Sequence, residues 1–428
     1  MELQNFCYTK RLFSFRLKGG ALYYAIFVML ILSMIGLMLL SYLELTFKED
    51  ALFYKTTKLE DDVDSAIELL CCQPELVTPG EKKEIDLYED GESIVSIEVQ
   101  RWGILRKAMV TAQWRTQTVS KTVLLSEKEK ERIALWMPEH YRYVSLVGKS
   151  YINGNCYLSE LGLRKGNAEG RYFEGPYLHK GKLNRSSKEM LTPDSQLLEY
   201  LERYSKGDFH VNDSVIPAKR GTSNDCAHSF SSKTIVVNGG NAMHLTNGNF
   251  QGNVVLYARD SIVVNKGAMF DWPILISKVV VINPGFEGRL QVIADSIIKV
   301  GSNCNLKYPS FLMTLNRKPN VSVEIKDKSE IKGGIMVYSF NPEEGKTRLT
   351  LGKGTNVFGK AYVNGDISLA GNIIGSLYGD RFVLITPRAF YENFMVDCTI
   401  DESKLPKEFS SFCLDQELQK LRVVSLVD

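Results

Sequence analysis

Residues 21–43, ALYYAIFVMLILSMIGLMLLSYL, form a run of uncharged, mostly apolar residues that occurs once in the chain. A helix of that length rises ~35 Å, enough to cross a bilayer core of ~30 Å with some tilt. After residue 46 the pattern changes. Leu52, Leu59, Val63, Ala66, Ile67 and Leu70 recur at steps of three, four and seven, while Glu60, Asp61, Asp62, Asp64 and Glu68 fill the other faces. That stripe predicts an amphipathic continuation of the helix over residues 46–72. Residues 73–90 are polar, hold two prolines and read as a linker.

From Ser93 the period falls to two. Val95, Ile97 and Val99 share one face and Ser96, Glu98 and Gln100 the other; Trp102-Gly103 interrupts, and Ala108, Val110, Ala112 and Trp114 resume the alternation. This predicts a small antiparallel meander with one buried face, ending near Leu125. Ser126 followed by Glu129 reads as a capping box that opens a short helix through Leu135, stopped by Pro138.

Beyond residue 148 the texture is repetitive. Asp260-Ser-Ile-Val-Val, Ser277-Lys-Val-Val-Val-Ile and Asp295-Ser-Ile-Ile-Lys-Val align, as do the segments starting at Val254, Ile274 and Leu290. Turns rich in Gly, Asn and Pro separate them, and further units begin near Val321, Ile335 and Arg348, with a glycine-punctuated stretch at 356–379 and an earlier one at 144–158. Repeats of ~20 residues made of short strands predict a parallel β-helix, a solenoid whose inward Val, Ile and Leu stack from coil to coil. The fold class is therefore mainly β: an N-terminal transmembrane and amphipathic helix, a small antiparallel region, then the solenoid. The expected boundaries are 1–20, 21–45, 46–72, 73–147, 148–400 with an insertion at 185–232, and a tail at 401–428 that caps the C-terminal end. Within the insertion, Ser195–Tyr204 reads as helix.

Charge sets orientation. Lys10, Arg11, Arg16 and Lys18 against Glu2 give the N-terminal tail +3, so the formal +2 of the whole chain leaves −1 for the rest. The positive-inside bias places residues 1–20 in the cytoplasm, residues 21–43 in the lipid bilayer of the inner membrane and the bulk in the periplasm. The near-neutral exterior offers no electrostatic footprint for nucleic acid.

The chemistry is sparse. Asp260 and Asp295 occupy equivalent corners two coils apart and are the candidate carboxylate pair of a glycan-cleaving site; turn capping is the competing role. Cys226-Ala-His228 has no partner pair at metal-ligand spacing, so neither a metal nor another cofactor is expected. Cys398 with Cys413, and Cys156 with Cys226, are the candidate disulfides.

Two resemblances follow from particular residues. Lys18-Gly19-Gly20 directly before the apolar run resembles the leader junction of type IV pilins and type II secretion pseudopilins. It implies cleavage after Gly19 or Gly20 and assembly with secretion machinery, although Tyr24 or Ala25 stands where that family carries Glu. The stretch NVFGKAYVNGDISLAGNIIGSLYG at 356–379 resembles bactofilins, polymer-forming β-helix proteins. The whole arrangement, including Leu146-Val-Gly-Lys-Ser-Tyr-Ile-Asn-Gly-Asn-Cys-Tyr-Leu, resembles uncharacterised bacterial envelope proteins with one N-terminal anchor. These imply a non-catalytic envelope scaffold or minor pseudopilin-like subunit that self-associates. The alternative is an ectodomain that binds or cleaves polysaccharide.

Overall fold

The computed structural model describes residues 19–427 except 90, 129–130, 210–212, 219–224, 319, 343–345, 410, 413 and 415–419. The chain divides into two compact units, Met1–Asp61 and Asp62–Asp428. One uninterrupted helix, α1 (Gly19–Cys72, 54 residues), supplies all the described structure of the first unit and enters the second. In the first unit its apolar side chains, among them Leu22, Phe27, Leu30, Met34, Leu37 and Leu40, stand exposed. In the second unit Val63, Ala66, Ile67 and Leu70 are buried, and polar contacts fix the helix end. Ser93 Oγ donates to Asp62 at 2.6 Å, and Lys121 Nζ lies 2.6 Å from Asp64.

The rest of the second unit is mainly β. The alternating segment forms the strands β1 (Lys82–Ile85), β2 (Ile94–Trp102), β3 (Leu105–Trp114) and β4 (Gln117–Lys128), paired antiparallel in sequence order. Part of the expected linker is thus strand β1. The C-terminal strand Lys420–Leu426 pairs with the free edge of β4 and completes a five-stranded sheet. Among the described residues the capping-box helix is not formed, Glu129 lying outside them: Ser126 belongs to β4 and donates to Ser411 O at 2.8 Å, and Leu135–Trp136 is a strand. Continued pairing with β3 and with the C-terminal strand satisfies more backbone groups than one helical turn would.

The remaining strands build a parallel sheet in which each pairs with the next repeat. One buried column runs Leu256, Leu275, Val292, Leu312, Ile335, Ala361, Leu377, each beside the next. Long strands such as Ser261–Ile282 pair with different neighbours along their length, so the sheet wraps barrel-like around a single apolar core. The expected alignment holds where Val279 sits beside Ile297, but elsewhere it slips by one: Ile274 lies opposite Val255 and Gln291 rather than Val254 and Leu290. The slip has a physical cause. Ile274, Ile276 and Ile293 point away from the inner core into a second apolar layer with Trp102, Leu105, Leu197 and Leu201, so both faces of these strands are apolar and alternation cannot mark register.

The early segment does not precede the stack. Leu135 pairs with Leu377, Ile152 with Ile400, and Asn153 Nδ2 donates to Asp401 at 3.0 Å across 248 positions. Residues 135–185 therefore sit beyond the last repeat. The segment read as an insertion contains α2 (Ser195–Ser205), close to expectation, and then Ser214–Pro217 and Cys226–His228, which join the parallel ladders. The C-terminal tail is held across its path by Arg132, which donates to the carbonyls of Leu405, Pro406, Lys407 and Phe409 at 2.8–3.1 Å.

Candidate functional site

Two features stand out: the exposed apolar half of α1, and a cavity of about 570 Å³ between the antiparallel sheet, α2 and residues 230–234. In α1, Gly19 and Gly20 open the helix, and a Cβ built at Gly20 would meet nothing. The helix is long and apolar enough to cross a membrane.

The cavity is positioned by α2. Leu197, Leu198, Leu201 and Tyr204 bury one face of the helix, and Asp194 caps its N-terminus by accepting from Gln196 and Leu197. The same carboxylate lies 3.0 Å from Arg101 Nη2, and Tyr200 donates to Arg101 O at 3.4 Å. Arg101 occupies an inward position of the alternating strand β2, with its side chain only 7% exposed. Burial pulls its guanidinium below the ordinary value, and Arg106 adds to the effect, while Glu127 and Asp194 oppose it. Burial likewise pushes the Tyr200 phenol well up. Lys107 and Lys233 line the cavity with Glu98 and Asp213, and neither Cys nor His does so among the described residues. Such mixed charge around the Arg101–Asp194 pair makes a polar seam that can bind.

The predicted carboxylates do not converge. Asp260 lies in the turn before its strand, and its backbone carbonyl accepts from Val279 N at 3.1 Å. Lys278 N bonds to Arg259 O, so a lysine rather than Ser277 stands opposite Asp260. Asp295 is half-buried; burial raises its carboxyl against the lowering influence of Lys206, Lys278 and Lys318. A rung carrying Lys278 separates the two acids.

The Cys156–Cys226 disulfide is not formed. Cys156 is a buried free thiol between Leu135 and Leu183, whereas Cys226 lies beside Phe250 on a different ladder. Cys398 is also free, next to Ser150, and Cys413 lies outside the described residues. His228 sits 2.8 Å from Lys233 O, and among the described residues no group of His, Cys, Asp and Glu is placed to hold a metal ion.

Comparison with solved structures finds the competence-associated pilin ComZ from Thermus thermophilus, at a TM-score of 0.23 and 10% identity, covering 88% of this chain and 95% of that one. A likeness at that level carries no argument. No family model matches the chain, and no curated protein matches it.

Sequence reading missed the Arg101 seam. The signal was present, because Arg101 continues the inward series Val95, Ile97, Val99, where a cation demands a partner.

Proposed function

We propose that this is a single-pass membrane protein of the bacterial cell envelope whose β part is a non-catalytic scaffold or assembly module. In this reading residues 21–45 are the inner-membrane anchor, residues 1–20 are cytoplasmic, and the bulk is periplasmic. The parallel region, which takes in Leu135–Trp136, is a β-helix, with residues 46–72 as its stalk and the strands β1–β4, Lys82–Lys128, as the antiparallel region.

The observation that carries the proposal is the exposed apolar half of α1. Leaving that surface in water costs roughly 25 cal/mol per Å², and a bilayer removes the cost. The solenoid reading is supported by the inner column of aliphatic residues repeated at one phase. The non-catalytic reading is supported by the separation of Asp260 and Asp295, between which stands the rung carrying Lys278. The pseudopilin-like variant of the proposal rests on Lys18-Gly19-Gly20 alone.

N-terminal sequencing of the protein recovered from membranes separates the variants. A start at Met1 supports a plain anchor, and a start at Gly20 or Ala21 supports a cleaved, pilin-like subunit. A start beyond residue 43 contradicts both.

A further inference from the structure

A second cavity, of about 300 Å³, opens on the outer side of the parallel sheet, over the strands Glu330–Ser339, Asn356–Leu369 and Asn372–Ile385. Its volume is at the small end of the ~300–1,000 Å³ typical of ligand clefts. One wall is aromatic. Tyr338 meets Phe340 edge-on with ring centroids 5.1 Å apart, and Tyr362 on the neighbouring strand lies 6.4 Å from Tyr338. Tyr362 is locked in place, buried and donating to Leu191 O at 2.7 Å. Tyr338 and Phe340 are half-buried at the cavity wall. Asn364 stiffens the rim by donating to Ser339 O at 2.6 Å and accepting from Ser339 N at 2.9 Å.

The charges beside this wall are not equivalent. Asp366 is committed: Arg381 donates to its Oδ1 through Nε at 3.0 Å and Nη2 at 2.7 Å, and Arg348 stands 3.5 Å from its Oδ2. Arg381, the one cation lining the cavity among the described residues, is occupied further by Glu392 at 3.2 Å. Arg317 lies 4.9 Å from the Phe340 ring centroid, but Glu202 grips it through both nitrogens at 2.6 and 2.7 Å. Asp380 differs. It is 39% exposed and has its Oδ1 2.7 Å from His140 Nε2, while a carboxylate offers roughly four acceptor positions.

We infer that this cleft binds a neutral saccharide. A sugar ring lays its C–H face on Tyr338, and its hydroxyls donate to Asp380. An apolar face with hydroxyl donors at its edge is what an aromatic wall beside an open carboxylate complements. A uronate is disfavoured, since its carboxylate would meet Asp380 with the local guanidiniums already paired. Cleavage is not part of the inference. The site stands independently of the role of α1.

The test is calorimetric titration of the full chain, solubilised in a sugar-free detergent, with neutral hexasaccharides of glucose, mannose, galactose, xylose and N-acetylglucosamine, and with hexagalacturonate. At least one neutral glycan binds and hexagalacturonate does not. Tyr338→Ala and Asp380→Asn each weaken binding by about tenfold or more, Asp380→Asn with far-ultraviolet dichroism and a cooperative melt like the wild type's, and Tyr338→Phe retains it. Failure of every neutral glycan, preference for hexagalacturonate, or affinity untouched by both Tyr338→Ala and Asp380→Asn overturns the inference.

Discussion

Gln291 Oε1 accepts the backbone N–H of Ile104 at 2.9 Å, and the same side chain donates through Nε2 to Trp102 O at 3.0 Å. One amide, buried in the parallel sheet, thereby satisfies both polar groups of the β2–β3 turn. Gly103 makes the approach feasible: its φ is +61°, and a Cβ there would overlap the Gln291 amide. Gln291→Ala leaves the buried Ile104 N–H unpaired, at about 1–3 kcal/mol, and takes from Trp102 O the partner it has besides the turn, at about 1 kcal/mol. Denaturant unfolding is expected to show a loss of about 2–4 kcal/mol with unchanged far-ultraviolet dichroism; a loss below about 0.5 kcal/mol would remove the clamp from the fold's energetics.

Gly333, Gly359 and Gly375 lie side by side on three successive strands, with φ of +153°, +137° and +142°. A Cβ on Gly375 would strike the backbone of Gly359, which has no side chain to move aside. Gly375→Ala is therefore expected to destabilise by about 1–3 kcal/mol or more, seen as a lowered denaturation midpoint. Gly80→Ala, also at positive φ but with open space around it, serves as the comparison and is expected to cost less.

Glu139 is buried, yet its carboxyl is held down to about 2. The Ser159 hydroxyl contributes most, burial opposes, and the N–H groups of Glu160 and Tyr141 and the nearby Arg185 lower it further. Because the folded value lies below the ordinary one, the stabilisation is fully present above pH ~4.5 and is lost as pH falls toward about 2. Wild type is expected to be more stable than Glu139→Gln at pH 7, with the gap closing between pH 4.5 and 2 in parallel urea titrations. A gap that is constant with pH would show that the charge of Glu139 is not what stabilises.

Thiol reactivity follows burial. Burial pushes Cys156 and Cys398 up to about 12, whereas Cys72 is exposed. Brief N-ethylmaleimide treatment at pH 7.5, read by peptide mass spectrometry, is expected to label Cys72 and spare Cys156 and Cys398 until the chain is unfolded. A Cys156–Cys226 cross-linked peptide would contradict the separate ladders of those residues.

What could be read from sequence was what local pattern controls. The apolar run, the stripe through Leu70 and the alternation of Val95, Ile97 and Val99 each report one element's own burial, and each element formed. The repeat units were visible because the residues of the inner column must all be apolar. Their register was not, since Ile274 and Leu275 are buried on opposite faces and nothing polar marks the difference. Ser126 misled as a helix cap because its partner, Ser411, lies 285 positions away. The pairing of Ile152 with Ile400 was invisible for the same reason. At the sites, Gln291 and Arg101 carried a readable sign, a polar residue at an apolar phase, whereas the saccharide cleft draws on four separate segments whose meeting only the fold reveals.

The anchor and its orientation are tested together by adding protease to bacterial spheroplasts that express the full chain with tags at both termini. A retained α1 with its N-terminus inside predicts that residues beyond the helix are digested from outside, while an N-terminal fragment stays in the membrane through a carbonate wash. A protected full-length chain, or one released by the wash, would contradict it.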